Sequence, residues 1–169
     1  MQESQRIVVG IDGSAESKGV LRFALEDAVR RHARLAVVRA FRTPTASEVD
    51  AWGTAVPTLA EMTARIEGAT RELVQGVIAE RDGVLSGVSF DVAAVPGRAG
   101  PVLVDAARGA AMLIVGHRDR AAVTSVLLGS VGLHCVLHAP CAVTVVRRGG
   151  VGEAVAEEAG AQVPAPQPV

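Results

Sequence analysis

The sequence predicts an α/β fold, a single doubly wound open sheet of five parallel strands with four helices on both faces. Three observations carry that expectation. Short aliphatic runs alternate with stretches whose apolar residues recur at three- and four-residue steps, in the order β-α-β-α-β-α-β-α-β. Most of the short runs are nearly continuous in apolar residues, the pattern of strands covered on both faces. The chain has 169 residues, 49% hydrophobic and 21% charged, enough for one domain with a substantial core. Parallel strands joined through helices take right-handed crossovers, which put helices on both faces of the sheet.

Residues 6–11 (RIVVGI) read as a buried first strand, stopped at once by Asp12-Gly13-Ser14. Ser14 or Ser17 is placed to cap a helix over residues 18–31, where Val20, Leu21, Ala24, Leu25, Ala28 and Val29 form the inward face. Residues 33–41 (ARLAVVRAF) give the second strand. Residues 43–56 carry Pro, Gly, Ser, Thr and Trp52 without periodicity, and read as a long loop, either a lid or a variable surface segment. Pro57 then opens a long amphipathic helix through Leu59, Met62, Ile66, Ala69, Leu73, Val77 and Ile78 to the stop at residues 81–83. Residues 88–95 alternate apolar and polar at their start, as an outer strand does.

A turn at residues 96–100 leads to a short helix over 102–111 with Leu103, Ala106 and Ala107 inward. Residues 112–115 (MLIV) form a buried strand ending at Gly116, a charged loop follows, and Gly129-Ser130 opens a helix over residues 130–138. Ala139-Pro140 breaks it before a last strand at 142–147. Residues 1–148 are therefore expected to be one domain, and residues 149–169, made of Gly, Ala, Glu, Gln, Pro and Val, a disordered tail.

Composition removes several classes of function. Aromatic residues are 2% of the chain and Tyr is absent, so base-stacking platforms for single-stranded nucleic acid are scarce. Net charge is −1, and before residue 150 the 17 Lys and Arg stand against 15 Asp and Glu, which is no nucleic-acid footprint. No stretch reaches the ~18 apolar residues of a membrane span and the first ten residues do not read as a signal, so the expected location is cytoplasmic. Cys135 and Cys141 lack metal-ligand spacing and read as small core residues. His134 and His138 lie four apart on a predicted helix without a third ligand, and read as surface or interface histidines.

Residues 112–131 (MLIVGHRDRAAVTSVLLGSV) stand out for function. A strand, a polar loop and a helix opening on Gly-Ser place unpaired backbone N–H groups beyond a strand's carboxyl end, where open parallel sheets bind anionic ligands. Four marks in the chain resemble the universal stress protein family of small α/β domains. They are IVVGIDGS with Asp12, VPGRA at residues 95–99, LIVG followed by LLGSV, and HAPCAVTVVR at residues 138–147. The resemblance spans residues 6–147 and implies the strand order 3-2-1-4-5, an adenine-nucleotide pocket, and a homodimer paired through the last strand, Ala142–Val146.

In nucleotide-binding members the phosphate loop reads Gly, two residues, Gly, nine residues, Gly, then Ser or Thr. Gly116 and Gly129-Ser130 stand at that separation here, but Asp119 replaces the middle glycine, and Gly132 stands where a second hydroxyl often occurs. Two like charges about 4 Å apart cost on the order of 4 kcal/mol at an effective dielectric near 20, against about 8 kcal/mol for a micromolar ligand. An inward Asp119 thus nearly abolishes triphosphate binding, whereas an outward one offset by Arg118 and Arg120 does not. The resemblance implies nucleotide contacts from Gly10, Asp12, Val38, Val115, Gly116, Arg118, Gly129, Ser130 and Val131, with Asp12 near the ribose and the Val38 main chain near adenine.

The leading expectation is a stress-response module that binds ATP or another adenine nucleotide, with Mg2+ as its companion, and passes the signal to a protein partner. Ligand-dependent ordering of residues 43–56 and 117–128 would alter the surface offered to that partner. The alternatives are a homodimeric interaction protein with a degenerate phosphate loop and, last, a weak ATP hydrolase. No Lys precedes Ser130 as a P-loop requires, and no histidine sits in a nucleophile-base pattern, so the chain is not expected to be an enzyme.

Overall fold

A computed structural model describes residues 5–45, 48, 57–81, 83–117 and 128–147. The expected tail, much of loop 43–56, and Arg118, Asp119 and Arg120 lie outside the described residues. In chain order the elements are β1 (Arg6–Gly10), α1 (Ser17–Arg31), β2 (Arg34–Phe41), α2 (Leu59–Ala79), β3 (Phe90–Pro96), α3 (Ala99–Ala106), β4 (Met112–Gly116), α4 (Ser130–His138) and β5 (Ala142–Val146). The strands form one parallel sheet in the order β3-β2-β1-β4-β5. This is the expected α/β architecture.

Alternation along the strands divides the core in two. Ile7, Val9, Leu35, Val37 and Ile114 pack on one face under α1 and α2, with Leu21, Leu25, Val74 and Val77 from the helices. Val8, Val38, Leu113 and Val115 pack on the other face under α3 and α4, with Leu103, Ala107 and Cys135. Cys135 is thus a core residue, and burial pushes its thiol pKa up. β1 lies centrally, paired with β2 and β4, so its short apolar run needs no polar alternation. β3 is an outer strand, and one N–H on it, that of Ala94, donates to Glu67 Oε1 of α2 at 3.2 Å. A helix side chain thereby satisfies a donor at a sheet edge.

Three helix starts differ from expectation. Neither Ser14 nor Ser17 caps α1, whose N-cap is Glu16 with no side-chain cap bond. The Ser17 hydroxyl donates to Asp12 Oδ1 instead, and the Ser14 backbone N–H donates to the same oxygen. Pro57 precedes the cap rather than opening the helix: Thr58 caps α2 in a reciprocal box with Glu61. α3 spans Ala99–Ala106 rather than 102–111. Pro101 is tolerated in its first turn, where the backbone N–H has no helical partner, and Gly109 at φ +71 marks the turn beyond its end. Thr58→Ala is expected to cost about 1 kcal/mol of unfolding free energy, read as a lower urea midpoint at unchanged slope.

Arg42 and Glu48 form a two-bond pair, each bond 2.8 Å long. Glu48 also accepts from the N–H and hydroxyl of Thr45, at 2.7 and 2.9 Å. The Arg42 bonds, and then those from Thr45, hold the Glu48 carboxyl at about 2. A depressed carboxyl contributes stability above its unfolded value and loses it as pH falls through the folded one. The contribution of Glu48 is therefore expected to fade as acid drives pH below the ordinary carboxylate range toward about 2. In Arg42→Ala, an NMR titration of Glu48 should show its midpoint moving up toward that range.

Candidate functional site

The sheet order creates a switch point: the chain leaves β1 toward β2 on one side and later returns to place β4 on the other. The loops above the carboxyl ends of β1 and β4 diverge there, leaving a crevice. A cavity of about 340 Å³ occupies that position, within the size range of small-molecule sites. Its wall includes Gly10, Ile11 and Asp12 from β1 and the turn beyond it, and Val115, Gly116 and His117 from the end of β4. Gly129, Ser130, Val131 and Gly132 close one side at the start of α4, while Ala99 and Leu103 of α3 close another.

Glycine sets the floor. A β-carbon on Gly10 would come within 2.5 and 2.7 Å of the Leu103 methyl carbons, and one on Gly116 within 2.9 Å of Val20 Cγ2. A residue larger than glycine at either strand end would therefore force the Leu103 or Val20 side chain to shift. Gly13 has φ +77, with the Arg39 guanidinium where a side chain would stand, so the turn after β1 also requires glycine. The turn is tied by Asp12 Oδ1, which accepts from the Ser14 N–H at 2.9 Å and the Ser17 hydroxyl at 3.1 Å.

Opposite that turn stands the start of α4. The Leu133 N–H reaches Gly129 O at 2.9 Å, whereas the N–H groups of Ser130, Val131 and Gly132 precede that bond. The N-cap residue of α4, Gly129, offers no side-chain cap bond. The first turn of α4 thus presents peptide donors, and the positive end of the helix dipole, to the cavity. Asp12 and Glu16 bring carboxylates to the wall, and Ser14, Ser17 and Ser130 bring hydroxyls. The arrangement suits a ligand with an anionic group at one end and hydroxyl donors at the other.

Of the residues expected at the site, the structure gathers Gly10, Asp12, Val115, Gly116, Gly129, Ser130 and Val131 around this one cavity. Val38 is buried against Val8 and Val115, and its carbonyl accepts the Ile11 N–H at 3.1 Å. Ala40, two residues on, is the β2 residue on the wall. Arg118 lies outside the described residues. Sequence reasoning missed Ala99 and Leu103, since their place depends on how α3 crosses β1. A glycine within the buried run RIVVG was the available signal. It also missed Ser17, read as a helix cap. Gly132 has a packing reason: a β-carbon there would lie 2.9 Å from Leu128 Cδ1.

His134 and His138 stack with ring centroids 4.4 Å apart, and His138 Nδ1 lies 2.9 Å from His134 O. Among the described residues no three His, Cys, Asp or Glu side chains converge in a cluster suited to a metal ion. No helix of the described residues is long and apolar enough to cross a membrane.

The sequence model of the Universal stress protein family matches residues 3–147. A universal stress protein of Mycolicibacterium smegmatis is 30% identical over 142 residues, covering 83% of this chain and 47% of the relative. The chain thus spans about half the length of that protein. Among solved structures, a universal stress protein in complex with cAMP superposes with a TM-score of 0.62 at 23% identity, covering 85% of this chain and 97% of the other. The universal stress protein UspA of Lactobacillus plantarum gives 0.62 at 21% identity, with coverage of 87% and 100%. That of Archaeoglobus fulgidus in complex with dAMP gives 0.53 at 18%, with coverage of 86% and 98%. These structural likenesses speak to the fold.

Proposed function

The chain belongs to the universal stress protein family, and from that premise we propose that its cavity binds an adenine nucleotide and serves a regulatory module rather than a catalyst. One observation carries the reading: the first turn of α4, with glycine at its N-cap, faces the Asp12 turn across the β1/β4 crevice. Peptide N–H groups at a helix start suit phosphate, and a carboxylate at a strand's carboxyl end suits ribose hydroxyls. The solved relatives in complex with cAMP and dAMP support the adenine class. In this reading Mg2+ accompanies a polyphosphate ligand. Ligand binding at the cavity changes the surface met by a protein partner in the cytoplasm.

A homodimer through β5 is part of the proposal. β5 is an outer strand, and Leu133, Val136 and Leu137 on neighbouring α4 expose about half or more of their surface. Exposed apolar groups beside an open sheet edge favour a partner. Native mass spectrometry tests both parts together: the expected species is a dimer carrying adenine-nucleotide mass. A monomer that takes up no nucleotide when AMP or ATP is added would contradict both.

The second reading, a family member without nucleotide, is favoured by Leu128 filling the space beside Gly132 and by Asp119 in the phosphate loop. It predicts that Asp119→Gly gains ATP binding in a protein that otherwise has none.

A further inference from the structure

We propose that His134 and His138 form a two-imidazole binding site for a divalent transition-metal ion of the zinc type at the carboxyl end of α4. The inference is independent of the nucleotide reading. Histidines four apart on a helix share one face, the spacing with which paired imidazoles hold zinc. Here the two ring centroids lie 4.4 Å apart, with the ring planes 22° from parallel, which puts one ion within reach of both side chains.

The fold prepares this pair in three ways. His138 Nδ1 lies 2.9 Å from the His134 carbonyl oxygen. A carbonyl only accepts, so Nδ1 carries the proton and Nε2 keeps the lone pair that a metal requires. Metal-ligating histidines are ordinarily oriented by an outer contact of this kind. The His134 ring is seated against α3 where that helix lacks a side chain: a β-carbon on Gly100 would come within 2.7 Å of His134 Cδ2. His138 is also the last residue of α4, and the carbonyl end of a helix dipole favours a cation. Among the described residues no third His, Cys, Asp or Glu joins the two rings, so water completes the coordination, as at open zinc sites. Burial pushes the thiols of Cys135 and Cys141 up, which removes the thiolates that would compete for zinc at neutral pH.

The test follows the ring signals of the four histidines by NMR as Zn2+ is added to the full chain without nucleotide. The signals of His134 and His138 are expected to move with one shared midpoint and to saturate at one ion per chain, ahead of those of His32 and His117. Mg2+, which takes oxygen ligands, is expected to move neither. His134→Gln and His138→Gln each leave a single imidazole. Each is expected to weaken Zn2+ binding at least roughly tenfold, because the second bond no longer forms within one molecule. His138 is exposed, so its variant carries the comparison should His134→Gln not fold. Ring signals of His134 and His138 that stay in place, or that titrate with separate midpoints, would overturn the site. So would undiminished Zn2+ affinity in either folded variant.

Discussion

Leu25→Ala is expected to destabilise the protein by about 2–5 kcal/mol, the cost of emptying a leucine-sized volume in a packed core. Leu25 is fully buried on the inward face of α1, within the cluster that joins Ile7 and Val9 of β1, Leu35 and Val37 of β2, and Ile114 of β4. The cavity left there would be bounded by three central strands, held by their ladders and unable to collapse inward. For a domain of this size each kcal/mol lowers the melting temperature by about 2–4 °C. Calorimetry or thermal circular dichroism should therefore show a fall of roughly 10 °C. Leu137, 67% exposed on α4, provides the contrast: Leu137→Ala in the monomer should change stability by no more than about 0.5 kcal/mol.

The second large effect is expected at the cavity floor. Gly10→Val places a branched side chain where a single carbon already comes within 2.5 Å of Leu103 Cδ1. Leu103 is itself part of the cavity wall and is packed against the β1/β4 face. The cavity it lines is open space into which it can yield. Overpacking of this kind costs about 1–3 kcal/mol, which leaves most of a stability of about 5–15 kcal/mol intact. The binding site does not survive as well: nucleotide affinity is expected to drop at least roughly tenfold in a protein that still unfolds cooperatively. A folded Gly10→Val protein with unchanged affinity would move the binding site away from the β1/β4 crevice.

The elements most legible in the sequence were those bracketed by chemistry that admits few alternatives. α4 begins at Ser130 and ends at His138 as expected, because Gly129-Ser130 and Ala139-Pro140 bound it. β1 and β4 were readable from unbroken aliphatic runs, and β2 from the apolar stretch between Arg34 and Arg39. Boundaries shifted where local chemistry admits more than one solution. α2 starts after the cap Thr58 rather than at Pro57, since the Thr58 hydroxyl reaches the Glu61 N–H. α3 starts three residues earlier than its apolar pattern, because Ala99 and Gly100 have little side chain to mark a face and Pro101 is compatible with a first turn.

The candidate site was legible in the same uneven way. Its anchors, Asp12, Gly116, Gly129 and Ser130, announce themselves as a strand-end acid and the ends of a glycine-bounded loop. The walls supplied by Leu103 and Ala99 depend on a helix crossing that no local pattern encodes. Ser17 was visible as a polar residue at a helix start, but its partner could be known only from the path of the turn. Its hydroxyl had two acceptable uses, and the proximity of Asp12 decided between them.

Calorimetric titration of the purified protein with AMP, ADP and ATP tests the central claim most directly. The β1/β4 cavity predicts saturable binding of at least one of the three, at one ligand per chain. A protein that unfolds cooperatively yet gives no binding heat with any of them at millimolar concentration would contradict it.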